Sequence, residues 1–98
     1  MKREYIIYQA PTSIPYTFRN FECAMNNNWS LNDYVPVWRG TIETDTVNSA
    51  LEKLFIMFNI NRPQHYYGRS LSVSDVVLLD KKPYYCDSIG WSECPERK

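Results

Sequence analysis

This sequence of 98 residues has neither an excess of charge of one sign nor a long apolar run. Eleven basic side chains balance eleven acidic ones, whereas a generic polyanion binder usually carries a basic excess. No apolar stretch approaches the roughly 20 residues that span a bilayer, and the apolar part of MKREYIIYQAP is too short for a secretory signal. We therefore expect a cytoplasmic protein without a membrane segment.

Residues that carry chemistry are also scarce. His65 is the only histidine, and Cys23, Cys86 and Cys94 are too widely spaced for the paired ligands of a structural zinc site. An odd number of cytoplasmic cysteines predicts free thiols rather than disulfides. The segment GRSLSVSD has neither the nucleophile-elbow pattern nor the phosphate-loop spacing. The sequence thus predicts no metal, no cofactor and no enzymatic activity.

Apolar and aromatic residues are plentiful, at 44% and 15% of the chain, which is enough for one small core in a single domain over residues 1–98. Residue patterns predict strands at 4–10, within 31–43, at 74–80, at 82–88 and within 89–94, and helices over about 19–25 and 45–59. This order predicts an α+β fold: a small antiparallel sheet of four to five strands with two helices packed on one face.

The second helix carries the clearest pattern. Five apolar residues recur at helical spacing and predict its buried stripe, namely Val47, Leu51, Leu54, Phe55 and Phe58. Asp45 or Thr46 is expected to cap its first turn, and Asn59 to end it in the left-handed conformation. Pro36, within the preceding strand, predicts an edge position or a bulge there.

The segment GRSLSVSDVVLLD, residues 68–80, has three serines at alternate positions. We interpret Ser70, Ser72 and Ser74 as solvent-facing residues of a chain entering a strand, with Leu71 and Val73 pointing inward. Asp75 or Ser74 is expected to stabilise a turn through nearby backbone N–H groups. The apolar VVLL that follows predicts a central strand buried on both faces.

Two sets of residues are candidates for contact with a partner. The loop RPQHYYGR combines cations with stackable rings, a composition compatible with nucleic acid. Aromatic residues in or beside loops, with arginines nearby, are also the commonest anchors of protein interfaces. The candidate interaction residues are Trp29, Trp38, Arg62, His65, Tyr66, Tyr67, Arg69 and Trp91.

Three stretches of the C-terminal half resemble the YodL-like family of small bacterial domains: LEKLFIMFNINRP, GRSLSVSDVVLL and YYCDSIGW. The first is similar to a family helix that a proline terminates, and the second to a serine-rich segment at the start of a strand. The third is similar to a C-terminal segment that ends in glycine and an aromatic residue. The strong similarity covers roughly residues 51–92, while EYIIYQA and FRNFECA match more loosely. Cys86 stands where the family usually has an aliphatic residue, and Arg69 stands where it often has histidine. Neither change creates a catalytic or ligand-binding site.

The resemblance implies a domain found alone or within larger proteins of bacterial mobile elements and phages, with no catalytic residue or cofactor to carry over. We therefore expect a non-enzymatic protein that binds and modulates a host protein, for instance an inhibitor of a defence nuclease such as a CRISPR effector. The alternatives are a nucleic-acid-binding accessory module and a regulator of a host cytoskeletal or metabolic protein. A monomer or a weak homodimer is expected.

Overall fold

Five antiparallel strands in the order β2-β1-β3-β4-β5 form the frame of the protein. The structure is a computed structural model, and it describes residues 1–66 and 68–95. The elements are β1 (Lys2–Gln9), α1 (Phe21–Asn26), a 3₁₀ turn (Leu31–Asp33), β2 (Val35–Glu43), α2 (Val47–Ile60), β3 (Val76–Leu79), β4 (Lys82–Cys86) and β5 (Trp91–Glu93). Within the described residues, none of the helices has the length and apolarity needed to span a membrane.

The strand β3 lies at the centre of the sheet, between β1 and β4. Val76 and Val77 are both fully buried although they point to opposite faces. The predicted central strand is therefore confirmed, and both faces of the sheet require a cover.

The helix α2 covers one face. Tyr5, Ile7 and Val77 project from the sheet into a cluster with the helix residues Leu54 and Phe58. Tyr5 and Phe58 pack edge to face, with ring centroids 6.2 Å apart. The members of this cluster that are buried are Tyr5, Ile7, Ile42, Ala50, Leu51, Leu54, Phe58, Leu71, Val77 and Leu79.

The opposite face is covered by α1 and the chain around it. Val76 and Tyr85 pack there against Ala24 of α1 and against the buried rings of Tyr16 and Trp29. The α+β class, the antiparallel sheet and its two helices are confirmed, but the helices lie on opposite faces rather than on one. The physical reason is that β3 and its neighbours present apolar side chains on both sides.

The predicted start of α2 agrees with the structure, but its predicted end does not. Thr46 is the N-cap, and its Oγ1 accepts a hydrogen bond from the Ser49 amide at 3.1 Å. The predicted end at Asn59 is wrong, because the helix continues to Ile60 and Asn61 follows it with a φ of −134°. The helix stops just before Pro63, which disfavours a helical residue ahead of it.

The strand β2 forms one edge of the sheet. Its register against β1 shifts between Ile7 and Tyr8, whose partners are Trp38 and Pro36, so Val37 is the extra residue of a bulge. Both expectations for Pro36, the edge and the bulge, are confirmed.

The serine-rich segment is a turn rather than the start of an alternating strand. The Asp75 amide donates to the Ser72 carbonyl at 3.0 Å, and Ser74 has a φ of +85°, the geometry of a type II turn. The prediction that Ser74 faces solvent is wrong, since Ser74 is fully buried and its Oγ accepts from the Phe18 amide at 2.9 Å. The predicted role of Asp75 is confirmed, because its Oδ2 accepts from the Ser72 amide at 2.9 Å.

Candidate functional site

A groove of ≈ 390 Å³ opens between α2 and the β4–β5 corner. All three family-like motifs of the sequence meet here, since LEKLFIMFNINRP supplies the helix side, SLSVSD one wall and YYCDSIGW the other. We call it the α2–β5 groove. It is lined by Glu52, Phe55, Leu71, Ser72, Val73, Cys86, Asp87, Ser88, Gly90 and Trp91.

An aromatic pair forms the apolar part of the groove. Phe55 lies edge to face on Trp91, with ring centroids 6.4 Å apart and planes at 87°. Phe55 is 38% exposed, so the pair lies at the outer margin of the α2 cluster rather than inside it. Trp91 is half-buried, so the pair is a partly exposed apolar surface, and its burial by a partner would favour binding.

Two carboxylates are the only charged groups that line the groove among the described residues, Glu52 and Asp87. Glu52 lies one helical turn before Phe55, so both project on the same side of α2. Burial acts to raise the pKa of Asp87, but hydrogen bonds from the Phe21 amide, Ser92 and the Ser88 amide outweigh it and hold the pKa below its ordinary value. Asp87 is therefore ionised at neutral pH, and the groove is acidic.

The thiol of Cys86 lies in the wall of the groove but is not activated. Burial raises its pKa to about 12, and the carboxylates of Asp75, Asp87 and Glu52 add to the shift. A nucleophilic cysteine needs the reverse, a thiolate stabilised near neutral pH. Among residues 1–66 and 68–95 there is also no cluster of three or more side chains suited to hold a metal ion.

A buried ion pair supports the wall formed by Leu71–Val73. Asp75 is fully buried, and its Oδ2 accepts from Nη1 of Arg69. The other terminal nitrogen of Arg69, Nη2, donates to the Ala10 carbonyl at 3.0 Å, and Nε2 of Gln9 donates to the Arg69 carbonyl at 2.8 Å. Burial raises the pKa of Asp75, opposed by Arg69 and by the Ser72 amide. This network fixes the chain that shapes the groove.

Of the predicted interaction residues, the groove contains Trp91 alone. Trp29 is 5% exposed and its Nε1 donates to Tyr34 Oη, so it belongs to the core and offers no surface to a partner. Trp38 and Tyr66 pack edge to face with ring centroids 5.9 Å apart, beside the α2 cluster.

The predicted basic loop is largely engaged in structural contacts. Arg69 pairs with Asp75, and Tyr66 Oη donates to the Arg69 carbonyl at 2.9 Å. Arg62 and His65 remain exposed. Tyr67 lies outside the described residues. The patch of interleaved cations and rings is thereby reduced to two exposed side chains among those the structure describes.

Three residues that give the groove its character are not distinguished by the sequence pattern. Phe55 fits the helical stripe and is therefore expected in the core, and Glu52 and Asp87 have no spacing that marks them as a site. The signal that could have found Phe55 is the excess of apolar residues on α2, whose exposed members are Phe55, Ile56 and Ile60.

An α+β domain with an acidic groove at one sheet edge is the class that the fold and the site define. The family model of the YodL-like domain matches residues 4–96, and the chain belongs to this family. Neither the curated proteins nor the solved structures contain a match to the chain.

Proposed function

We propose that this domain is a protein-binding module whose α2–β5 groove receives a segment of a partner protein. The partner segment presents an apolar side chain next to lysine or arginine. The observation that supports this choice is the combination of a partly exposed aromatic pair, Phe55 and Trp91, with the carboxylates Glu52 and Asp87 in one groove. Apolar burial supplies affinity and the complementary charge supplies orientation and association rate.

The biological setting that we propose follows the family resemblance. The protein acts in the bacterial cytoplasm as the product of a phage or mobile element and modulates a host protein. One concrete partner is a defence nuclease such as a CRISPR effector, and another is a host cytoskeletal or metabolic protein. Three free cysteines agree with a reducing compartment.

The proposed activity is binding without catalysis. The groove holds one thiol, and burial keeps its pKa near 12, so Cys86 is a poor nucleophile at neutral pH. His65 lies on the loop after α2 and does not line the groove. We therefore assign these residues no catalytic role.

Nucleic-acid binding remains the second candidate, supported by the exposed Arg62 and His65. It predicts affinity that falls steeply with salt. Arg69 and Tyr66 add little to it, since their polar groups bond within the chain.

The test is affinity capture from a lysate of the bacterial host, with immobilised wild-type protein and two groove variants. Glu52→Lys reverses one carboxylate at an exposed helix position, and Phe55→Gln removes the exposed ring with a good helix former. We expect a stoichiometric partner that wild-type protein retains and that both variants lose by at least about tenfold, equivalent to about 1.4 kcal/mol.

Two matched controls separate the groove from the general surface. Ile89→Gln removes an apolar side chain that is 92% exposed and does not line the groove, and Glu22→Lys reverses an exposed carboxylate on α1. Both should capture the partner as wild-type protein does. Capture that survives Glu52→Lys and Phe55→Gln, or that the controls weaken equally, would reject the groove as the binding site.

A further inference from the structure

The free edge of β2 has a defined set of outward hydrogen-bonding groups. The Thr44 amide donates to the Met1 carbonyl at 2.9 Å, and antiparallel pairing alternates from there along β1 and β2. Ile42 and Gly40 therefore direct their amides and carbonyls to β1, whereas Glu43, Thr41 and Arg39 direct theirs to solvent.

An independent contact fixes the same alternation. Glu4 is the register partner of Thr41, and its carbonyl accepts from the Asp80 amide on the β3 side at 2.9 Å. A residue of β1 that bonds to β3 does not bond to β2. Thr41 accordingly has both backbone groups free at the edge.

The outward residues are self-complementary. If a second copy pairs antiparallel with β2 about a twofold axis at Thr41, each Arg39 lies directly opposite Glu43 of the other copy. Glu43 Oε1 lies 2.9 Å from the amino group of Met1, but this ion pair is on the surface and contributes little, so the carboxylate stays accessible to Arg39. This register also places every outward residue opposite an outward residue, which the ladder requires. A register centred on Arg39 would instead juxtapose two like charges, which destabilises a strand pair.

The sequence features that protect an edge lie outside this stretch. Pro36 and the bulge at Val37 precede it, and they would block pairing only at the start of β2. Lys53 Nζ lies 3.4 Å from the Glu43 carbonyl, a long contact on an exposed side chain that an incoming strand can displace.

The helix α2 adds apolar surface beside the same edge. Ile56 and Met57 line a depression together with Ile42 and Glu43 of β2, and Ile60, one turn beyond Ile56, is 81% exposed. A twofold axis perpendicular to the sheet keeps both copies of α2 on one side. The exposed isoleucines of the two copies then face each other across the joined strands.

We propose that a second copy of this chain pairs with residues 39–43 of β2, so that the two sheets continue into one another. The groove lies beside β5, at the opposite edge of the sheet. The dimer therefore leaves both grooves open, and this proposal stands or fails independently of the proposed function.

Sedimentation velocity over a range of concentrations tests the pairing. Wild-type protein should show a reversible monomer–dimer equilibrium. Thr41→Pro removes the central outward N–H without touching a bond to β1, so it should remain folded by circular dichroism and sediment as a monomer. Thr41→Val keeps the N–H and should dimerise as wild-type protein does.

Charge exchange tests the register. Arg39→Glu and Glu43→Arg should each weaken dimerisation about tenfold or more, because each places two like-charged pairs across the twofold axis. The double variant Arg39→Glu/Glu43→Arg restores both opposite-charge pairs and should return to within about threefold of wild type.

Crosslinking gives a second test of the register. Thr41→Cys brings two thiols directly opposite at about 5.5 Å between Cα atoms, within reach of a disulfide, whereas Arg39→Cys does not. With Cys23 replaced by serine in every variant, oxidation should yield a covalent dimer for Thr41→Cys only. A wild-type protein that stays monomeric at millimolar concentration, a dimer that Thr41→Pro leaves intact, or an unrescued double variant would overturn the proposal.

Discussion

Ser74 combines a strained backbone with a buried hydrogen bond. Its φ of +85° lies in the left-handed region, and its Oγ accepts from the Phe18 amide. Ser74→Ala keeps the strain and leaves that amide without its acceptor, which should cost about 1–2 kcal/mol of unfolding free energy. Ser74→Gly loses the same bond but relieves the strain, so it should be about 1 kcal/mol more stable than Ser74→Ala.

Urea unfolding of both variants measures this difference. Ser72→Ala is the matched control, because within residues 1–66 and 68–95 the hydroxyl of Ser72 makes one hydrogen bond, a 3.3 Å contact from Nη1 of Arg69, and it should change stability by less than about 0.5 kcal/mol. A glycine variant less stable than the alanine variant would contradict the assignment of strain to Ser74.

The Arg69–Asp75 pair predicts a pH-dependent defect. Arg69→Met leaves a fully buried carboxylate without its cation and should cost about 3 kcal/mol at pH 7. Burial already raises the pKa of Asp75 above 3.8, and without Arg69 it should rise further. A folded-state pKa above the unfolded one means that the folded state binds the proton more tightly.

The stability of Arg69→Met should therefore recover as the pH falls from 7 towards 5, measured by urea unfolding at both values. Arg62→Met, an exposed arginine in the same loop, should stay within about 0.5 kcal/mol of wild type at both pH values. A defect of Arg69→Met that is equal at pH 7 and pH 5 would show that the charge of Asp75 is not the cause.

The three thiols should differ in reactivity. Burial raises the pKa of Cys86 and of Cys94 to about 12, so almost no thiolate exists at these residues at pH 8. Titration with Ellman's reagent at pH 8 should find at most one reactive thiol in the native protein, Cys23, and all three after denaturation. Fast native labelling of Cys86 would contradict the inert role assigned to it.

Among the secondary-structure elements, the β3–β4 hairpin has a turn that a single substitution should stabilise. Asp80 and Lys81 have φ values of +49° and +71°, the two left-handed positions of a type I′ turn, where glycine is preferred at the second. Lys81→Gly should stabilise the protein by about 0.5 kcal/mol. This is the backbone strain that glycine relieves at the positive φ, less the conformational entropy that glycine adds to the unfolded chain.

Thermal or urea unfolding checks the sign. Lys82→Gly is the control, since Lys82 is an exposed residue of β4, and glycine within a strand should destabilise by roughly 0.5–1 kcal/mol. Opposite signs for the two neighbouring substitutions are the expected result. A destabilised Lys81→Gly would argue against the turn.

The elements most predictable from the sequence are those with a strong period. The apolar stripe of α2 predicts a helix, and the apolar VVLL of β3 predicts a buried strand. Pro36 predicts that β2 lies at an edge of the sheet and has a bulge. The serine segment misled because its alternation imitates a strand, while the type II turn depends on Ser74 adopting a conformation that usually selects glycine.

Placement of α1 could not be predicted for a different reason. Its six residues form a helix too short to display a face, and its position depends on contacts with Tyr85 and Val76, far away in the sequence. A short amphipathic pattern gives an element but not the side of the sheet that it covers.

At the scale of the whole molecule, the groove exists only through tertiary contact. Its walls come from segments around residues 52–55, 71–73 and 86–91, and no local pattern connects them. Trp91 could be proposed from its residue type, but Phe55 was indistinguishable from a core residue until the edge-to-face contact at the margin of α2 was known.

The two edges of the sheet are proposed to bind different partners. The groove lies beside β5, a strand of three residues, while the opposite edge is the nine-residue β2. A partner at the first and a second copy at the second would produce a bivalent assembly, whose apparent affinity for a repetitive target exceeds that of one groove.

Whether the partner binds in the α2–β5 groove is tested most directly by an NMR titration of ¹⁵N-labelled protein with the captured partner. A partner bound in the groove should shift the indole N–H of Trp91 and the amides of Phe55, Ser88 and Gly90 first. Glu52→Lys should remove these shifts, and Ile89→Gln should leave them. Shifts confined to Arg62 and His65, or to residues 39–43, with the groove signals unchanged, would contradict the claim that the α2–β5 groove is the binding site.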